Sequence, residues 1–172
     1  MKVLEPPDSH FLSAAEGWLE LGRPDEATRE LDQIAPVWRN HPDVLERRWH
    51  IAAYAREWCQ CLELARSLID QEPTRVTGWI HQAYALRRVG EGGLQLAWDA
   101  LLPAAGRFPR NPIIPFNLAC YACQMGRMDE ARQWLARAFS IGRVIGTEDS
   151  IKSMALQDQD LVALWDEIKK KC

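Results

Sequence analysis

The sequence predicts an all-α fold of stacked helical hairpins, and three observations predict it. Apolar residues recur at i, i+3 and i+4 spacing through most of the chain. No segment alternates apolar and polar residues with the β-branched enrichment of a strand. The hexapeptide Gly22-Arg23-Pro24-Asp25-Glu26-Ala27 returns as Gly126-Arg127-Met128-Asp129-Glu130-Ala131, an offset of 104 residues, or three periods of 34 and two over. Gly90 falls two such periods after Gly22, and Glu72-Pro73 and Phe108-Pro109 each close a unit, 36 residues apart. The surplus of two lies at Glu91-Gly92-Gly93, a lengthened turn. A fixed period of this length marks a stacked repeat, in which each unit buries its apolar face only against its neighbours.

Each unit reads as two helices. In the first, Phe11, Ala14, Ala15, Trp18 and Leu21 share one face, and Gly22 with Pro24 breaks the run. Asp25 is then expected to cap the second helix, whose stripe is Ala27, Leu31 and Ile34. The second unit gives Leu45, Trp49 and Ala52, then Cys61, Ala65 and Leu68; the third gives Trp79, Ala83 and Leu86, then Ala97, Leu101 and Ala104. The fourth gives Leu118, Ala119 and Ala122, then Ala131, Leu135 and Ala138. Small residues are expected where the helices of a hairpin cross, because close backbone approach leaves no room for large ones. After the last pair, a short helix over 148–156 presents Ile151, Met154 and Ala155. Asp158-Gln159-Asp160 then caps a helix carrying Leu161, Leu164, Trp165 and Ile168, and Lys169–Lys171 suit its negative end.

Composition narrows the function. The chain has 172 residues, 21 Lys+Arg against 24 Asp+Glu, and a net charge of -3. With a pI near 5.8, bulk electrostatic binding to nucleic acid is not expected. No apolar run reaches the ~18 residues of a membrane span, so no membrane partner is expected either. The start, Met1 to Pro7, has one Lys and no apolar h-region, so no signal peptide is read and a cytoplasmic location is expected. The cysteines at 59, 61, 120, 123 and 172 are accordingly read as reduced thiols. Eight tryptophans suit a filled helical core or an interaction surface.

These residues resemble the tetratricopeptide repeat family, in the manner of its small bacterial members. The third unit carries the family pattern at Trp79, Ala83, Gly90, Ala97, Leu101, Ala104 and Pro109. The fourth carries it at Leu118, Ala119, Gly126, Ala131, Leu135 and Ala138, and the first at Ala15, Gly22, Ala27 and Leu31. The second departs most: Trp49 replaces the small residue, Arg56 the Gly and Cys61 the Ala, so a splayed or repacked pair is expected there. The resemblance implies a right-handed α-solenoid of four antiparallel helix pairs in a single array over 1–172. Its repeats are 8–41, 42–75, 76–111 (with a two-residue insertion near Gly92) and 112–145, and helices over 146–172 cap it.

The resemblance also implies a concave groove lined by the first helix of each pair. The partner-binding residues it points to are Arg47, His50, Tyr54, His81, Tyr84, Arg87, Arg88, Asn117 and Gln124. Summed by unit, formal groove charge runs −2, −1, +2 and 0, which suits an extended or helical peptide. Arg87 and Arg88 would pair with a carboxylate, and Tyr54 and Tyr84 would flank an apolar side chain. Family members that dock on heat-shock chaperone tails hold a carboxylate with Lys, Asn and Arg; the corresponding Leu12, Glu16, Arg47, Thr77 and His81 do not match.

Other chemistry is weaker in the sequence. Cys120-Tyr121-Ala122-Cys123 and Cys59-Gln60-Cys61 have metal- or redox-like spacing, but Cys61 falls at a packed position and the C-x-x-C lies two turns inside a helix. His50 and His81 are expected to face the groove in adjacent units, with Glu46 one turn before His50, and are read as polar lining. No phosphate loop, nucleophile elbow or kinase-type motif appears. The preferred reading is therefore a non-catalytic adaptor, monomer or weak homodimer, without cofactor or metal, that binds a peptide segment of a protein partner. An assembly subunit or chaperone using a convex surface bearing Trp98 and Trp134 is the alternative, and a metal-binding or hydrolytic protein the third.

Overall fold

The computed structural model describes residues 3–170; Met1, Lys2, Lys171 and Cys172 lie outside the described residues, and with them the end of the expected basic tail and the fifth cysteine. The helices are α1 (Asp8–Glu20), α2 (Pro24–Gln33), α3 (Pro42–Tyr54), α4 (Trp58–Gln71) and α5 (Val76–Leu86). They continue with α6 (Leu94–Leu101), α7 (Ala104–Arg107), α8 (Ile113–Gln124), α9 (Met128–Ile145), α10 (Glu148–Gln157) and α11 (Trp165–Lys169). Short 3-10 turns cover Pro36–Trp38 and Gln159–Leu164, and the described residues contain no strand. The fold is all-α. The chain divides into two compact units, Met1–Val89 and Gly90–Cys172, and the division falls beside the lengthened turn at Glu91-Gly92-Gly93.

In the first unit α1 packs on α2, α3 on α4, and α4 on α5. One core cluster holds Leu4, Ala15, Ala27, Leu31, Ile34 and Val44, with Phe11 and Trp18 against it. A second holds Trp49, Ala52, Cys61, Ala65 and Ala85. In the second unit α8 packs on α9 and α6, and α10 on α9. The alanines expected at helix crossings, including Ala65, Ala83, Ala97, Ala119 and Ala138, are fully buried. That is the physical use of a small side chain there: it lets two backbones approach.

The repeat is visible in the backbone as well as in the side chains. Gly22, Arg56 and Gly126 adopt left-handed φ values of 68°, 59° and 75°. After each, an N–H reaches back five residues: Arg23 to the Trp18 carbonyl at 2.8 Å, Glu57 to Ala52 at 2.9 Å, Arg127 to Ala122 at 2.8 Å. This is the Schellman closure of a helix, and it needs a residue that tolerates positive φ. Arg56 occupies that place without being glycine, at a steric cost of ~1–2 kcal/mol. Part of it is offset because glycine loses more entropy on folding. Arg56→Gly is therefore expected to raise stability by about 0.5–1 kcal/mol, measured by urea denaturation.

Four local expectations are corrected. Asp25 does not cap α2: the helix begins at Pro24, with Arg23 before it and no side-chain cap. Proline at the first position needs no N–H partner, and the Arg23 N–H is already engaged by the turn, so Asp25 instead places its charge in the positive first turn. Pro103 separates α6 from α7, because proline cannot donate to a continuing helix, so Leu101 and Ala104 do not share one. Asp158 does cap, accepting from the Asp160 N–H at 2.9 Å, but the chain enters a 3-10 turn before α11. Residues three apart eclipse in that geometry, which still carries Leu161 and Leu164 into the core. Finally, Trp98 is only 6% exposed, with its ring edge-on to Trp134 at 6.0 Å, so the two do not form an open tryptophan patch.

Candidate functional site

Polar and aromatic side chains converge in the first unit, where α3 faces α5. Helical spacing places Glu46 and His50 on one side of α3, a turn apart, with Trp49 beside them. From α5 come His81 and, one turn on, Tyr84, with Arg88 just past the helix end. The Trp49 and His81 rings stack with centroids 3.7 Å apart and 8° between planes. His50 meets His81 edge-on at 5.4 Å, and Tyr84 meets Trp49 edge-on at 5.9 Å. The second helix pair is thus repacked and not splayed: α3 and α4 pack on each other, and the Trp49 ring reaches the face of His81 on α5. Cys61 and Ala65, both buried, belong to the same cluster.

Below the rings lies an ion-pair network. Arg75, at the start of α5, contacts Asp43 at 2.7 Å, Glu46 at 2.8 Å and Glu72 at 2.7 Å. One guanidinium fork thus gathers carboxylates from α3 and from the link before α5. Burial works to raise the Glu46 pKa, yet His81 and Thr77 beside it, then Arg75, hold it down at about 2. Glu46 is therefore a carboxylate at neutral pH. His50 is held below the ordinary histidine value, first by burial and then by the neighbouring His81. Its imidazole is neutral at neutral pH.

Toward the turn between α3 and α4 the site opens. Ala53, Arg56, Trp58, Tyr84 and Arg88 line a recess of about 530 Å³. The Arg88 guanidinium lies 3.4 Å from the Tyr84 ring centroid and 5.3 Å from that of Trp58, and its Nη1 donates to the Tyr84 carbonyl at 2.9 Å. Each cation–aromatic contact at such an exposed place is worth ~0.5–1 kcal/mol, and together they hold the guanidinium in one orientation.

The expected groove residues separate into two groups. His50, His81, Tyr84 and Arg88 come together as described, with Arg87 directly after α5. Arg47 pairs with Glu16 of α1, and Tyr54 stands exposed at the end of α3. Asn117 and Gln124 lie on α8 of the second unit. Asn117 donates to the Ile113 carbonyl at 2.9 Å and Gln124 to the Asp160 carbonyl at 3.1 Å, so Gln124 engages the 3-10 turn that precedes α11. Cys61 is buried, and its thiol is pushed up to about 11 by burial and then by Glu57. Burial raises Cys123 too, so neither is a ready thiolate.

Sequence reasoning treated Glu46 only as an accessory and missed Arg75, Trp58 and Arg56 as parts of the site. The available signal was Arg56 itself, an arginine at the repeat's glycine place.

No family model matches the chain, and no curated protein matches it in sequence. Solved structures do match. TTC0263, described as a thermophilic TPR protein in Thermus thermophilus, is 16% identical, with a TM-score of 0.67 over 95% of this chain and 96% of that one. A MamA protein structure is 19% identical, with a TM-score of 0.65 over 95% of this chain and 86% of that one. The chain therefore has the tetratricopeptide-repeat type of helical fold. Among the described residues no helix is long and apolar enough to cross a membrane.

Proposed function

We propose that the chain is a protein-interaction module with no chemistry of its own, and that the recess at Trp58, Tyr84 and Arg88 receives a peptide segment of a partner. The observation that carries this reading is the guanidinium held over two aromatic rings at the mouth of an open cavity. A preset Arg suits a carboxylate, and the flanking Trp and Tyr faces suit an adjacent apolar or aromatic side chain. The favoured ligand is accordingly an acidic peptide with a neighbouring apolar residue. The helical-repeat fold supports the general class, since such arrays serve as binding surfaces. The buried Trp98 weighs against the reading that placed the working surface on an outer tryptophan patch.

The test is affinity capture from lysate of the source cells, followed by peptide arrays that vary acidic and apolar content. Arg88→Glu is expected to weaken binding of the captured segment by about tenfold or more, with helicity unchanged by circular dichroism. Equal binding by wild type and variant would move the site out of this recess.

A further inference from the structure

The recess does not use the group of side chains one turn away. Glu46, His50 and His81 each offer a ligand atom, and those atoms all lie within 4.8 Å of one another. Glu46 and His50 are four residues apart on α3, the spacing that lets two side chains of one helix grip a single ion. His81 approaches from α5. It is 8% exposed, and its Nε2 is buried without a hydrogen-bond partner, pointing at Glu46 Oε1 from 3.7 Å. That distance is too long for a hydrogen bond. It is close to the spacing of two ligands on one ion, because an ion ~2 Å from each holds tetrahedral ligand atoms roughly 3.4 Å apart.

The surroundings favour a cation. Glu46 Oε2 is fixed by Arg75 at 2.8 Å, which leaves Oε1 facing His81. Arg75 is shared with Asp43 and Glu72, so three carboxylates surround one guanidinium and leave two formal negative charges beside the imidazoles. Arg47 and Arg48, the two cations between Glu46 and His50 on α3, are paired with Glu16 and Asp32. The Arg75 contact also orients the carboxylate, the usual service of groups behind a metal ligand. The Trp49 ring stacked on His81 fixes the imidazole plane.

We propose that Glu46, His50 and His81 form a site for one divalent metal ion of the zinc class, binding through one carboxylate oxygen and two imidazole nitrogens. Two nitrogens and one oxygen are the borderline donor set that selects Zn²⁺ or Co²⁺ over Mg²⁺ and Ca²⁺. Three protein ligands leave the fourth position open to water or to a group brought by a partner. The ion would tie α3 to α5, which belong to successive helix pairs, and stiffen the wall next to the recess.

The test is calorimetric titration of Zn²⁺ into the chelator-treated full chain, with bound metal counted after desalting. The expected result is one Zn²⁺ per chain, a rise in Tm on loading, and the visible absorption of a low-coordinate site when Co²⁺ is used instead. His50→Ala, at the open edge of the cluster, is expected to weaken binding by at least about tenfold, with the apo chain folded by circular dichroism. Should His50→Ala disturb the fold, Glu46→Gln serves in its place, keeping the shape of the side chain and removing its charge. Cys120→Ser is the control, because Cys120, Asp158 and Asp160 form the other grouping of donors among the described residues. Undiminished binding in Cys120→Ser supports the proposal. No Zn²⁺ bound by wild type, the same affinity in the folded variant of the cluster, or binding lost only in Cys120→Ser would each overturn it.

Discussion

Arg75→Leu is expected to lower the stability of the first unit by about 2–4 kcal/mol. The side chain is 22% exposed and meets three carboxylates at 2.7, 2.8 and 2.7 Å. Any one of these pairs on an open surface would contribute only about 0–1 kcal/mol. Here the cost comes from what remains: Glu46, at 17% side-chain exposure, keeps its charge in a poorly solvated place with its guanidinium gone. Leucine supplies no donor and covers part of the remaining access of water. Arg75→Lys is expected to recover less than half of the loss, because a single ammonium cannot span three acceptors in a fork.

Acid titration gives the same network a sign. The Glu46 carboxyl is held at about 2 against an ordinary 4.5, so its contribution to stability is complete above pH 4.5 and is lost as pH falls toward 2. The size is on the order of 3 kcal/mol for a shift of this extent. Glu46→Gln should therefore flatten the acid limb of the stability profile, measured by urea denaturation at a series of pH values. An unchanged limb would mean that other carboxylates carry it.

What the sequence made legible follows from how each feature is encoded. The small residues at helix crossings and the turns at Gly22 and Gly126 are local and periodic, so spacing alone exposed them. Arg56 shows how strong that encoding is: the left-handed turn recurs 34 residues after Gly22 with a residue that disfavours it. Helix starts were less legible, because Pro24 and Asp25 are both helix-start residues and only the occupied N–H of Arg23 decides between them. The site was half legible. The resemblance to tetratricopeptide repeats put His50, His81, Tyr84 and Arg88 on inward positions, but a repeat position carries no information about side-chain direction across helices. The stack of Trp49 on His81 and the reach of Arg75 to α3 are contacts over about 30 residues, set by packing. The same limit explains Trp98, whose burial depends on where Trp134 of α9 lies.

Ala65→Trp is the other large effect, and it tests the crossing geometry itself. Ala65 is fully buried on α4 in a cluster with Trp49 and Ala52 of α3 and Ala85 of α5. A large ring at that point has no cavity to enter. Inserting even a few methylenes into a close-packed core costs ~1–3 kcal/mol, and an indole exceeds that by pushing α4 away from both neighbours. The expected outcome is loss of the cooperative transition of the first unit, read as a shallow thermal melt with retained far-UV helicity. Ser67→Trp, exposed on the same helix, supplies the control and should change stability by no more than about 0.5 kcal/mol. Equal melting of the two variants would mean that α3 and α5 do not close on α4 at Ala65. In that event the stacked Trp49 and His81 rings, which depend on the same approach of helices, would lose their structural basis too.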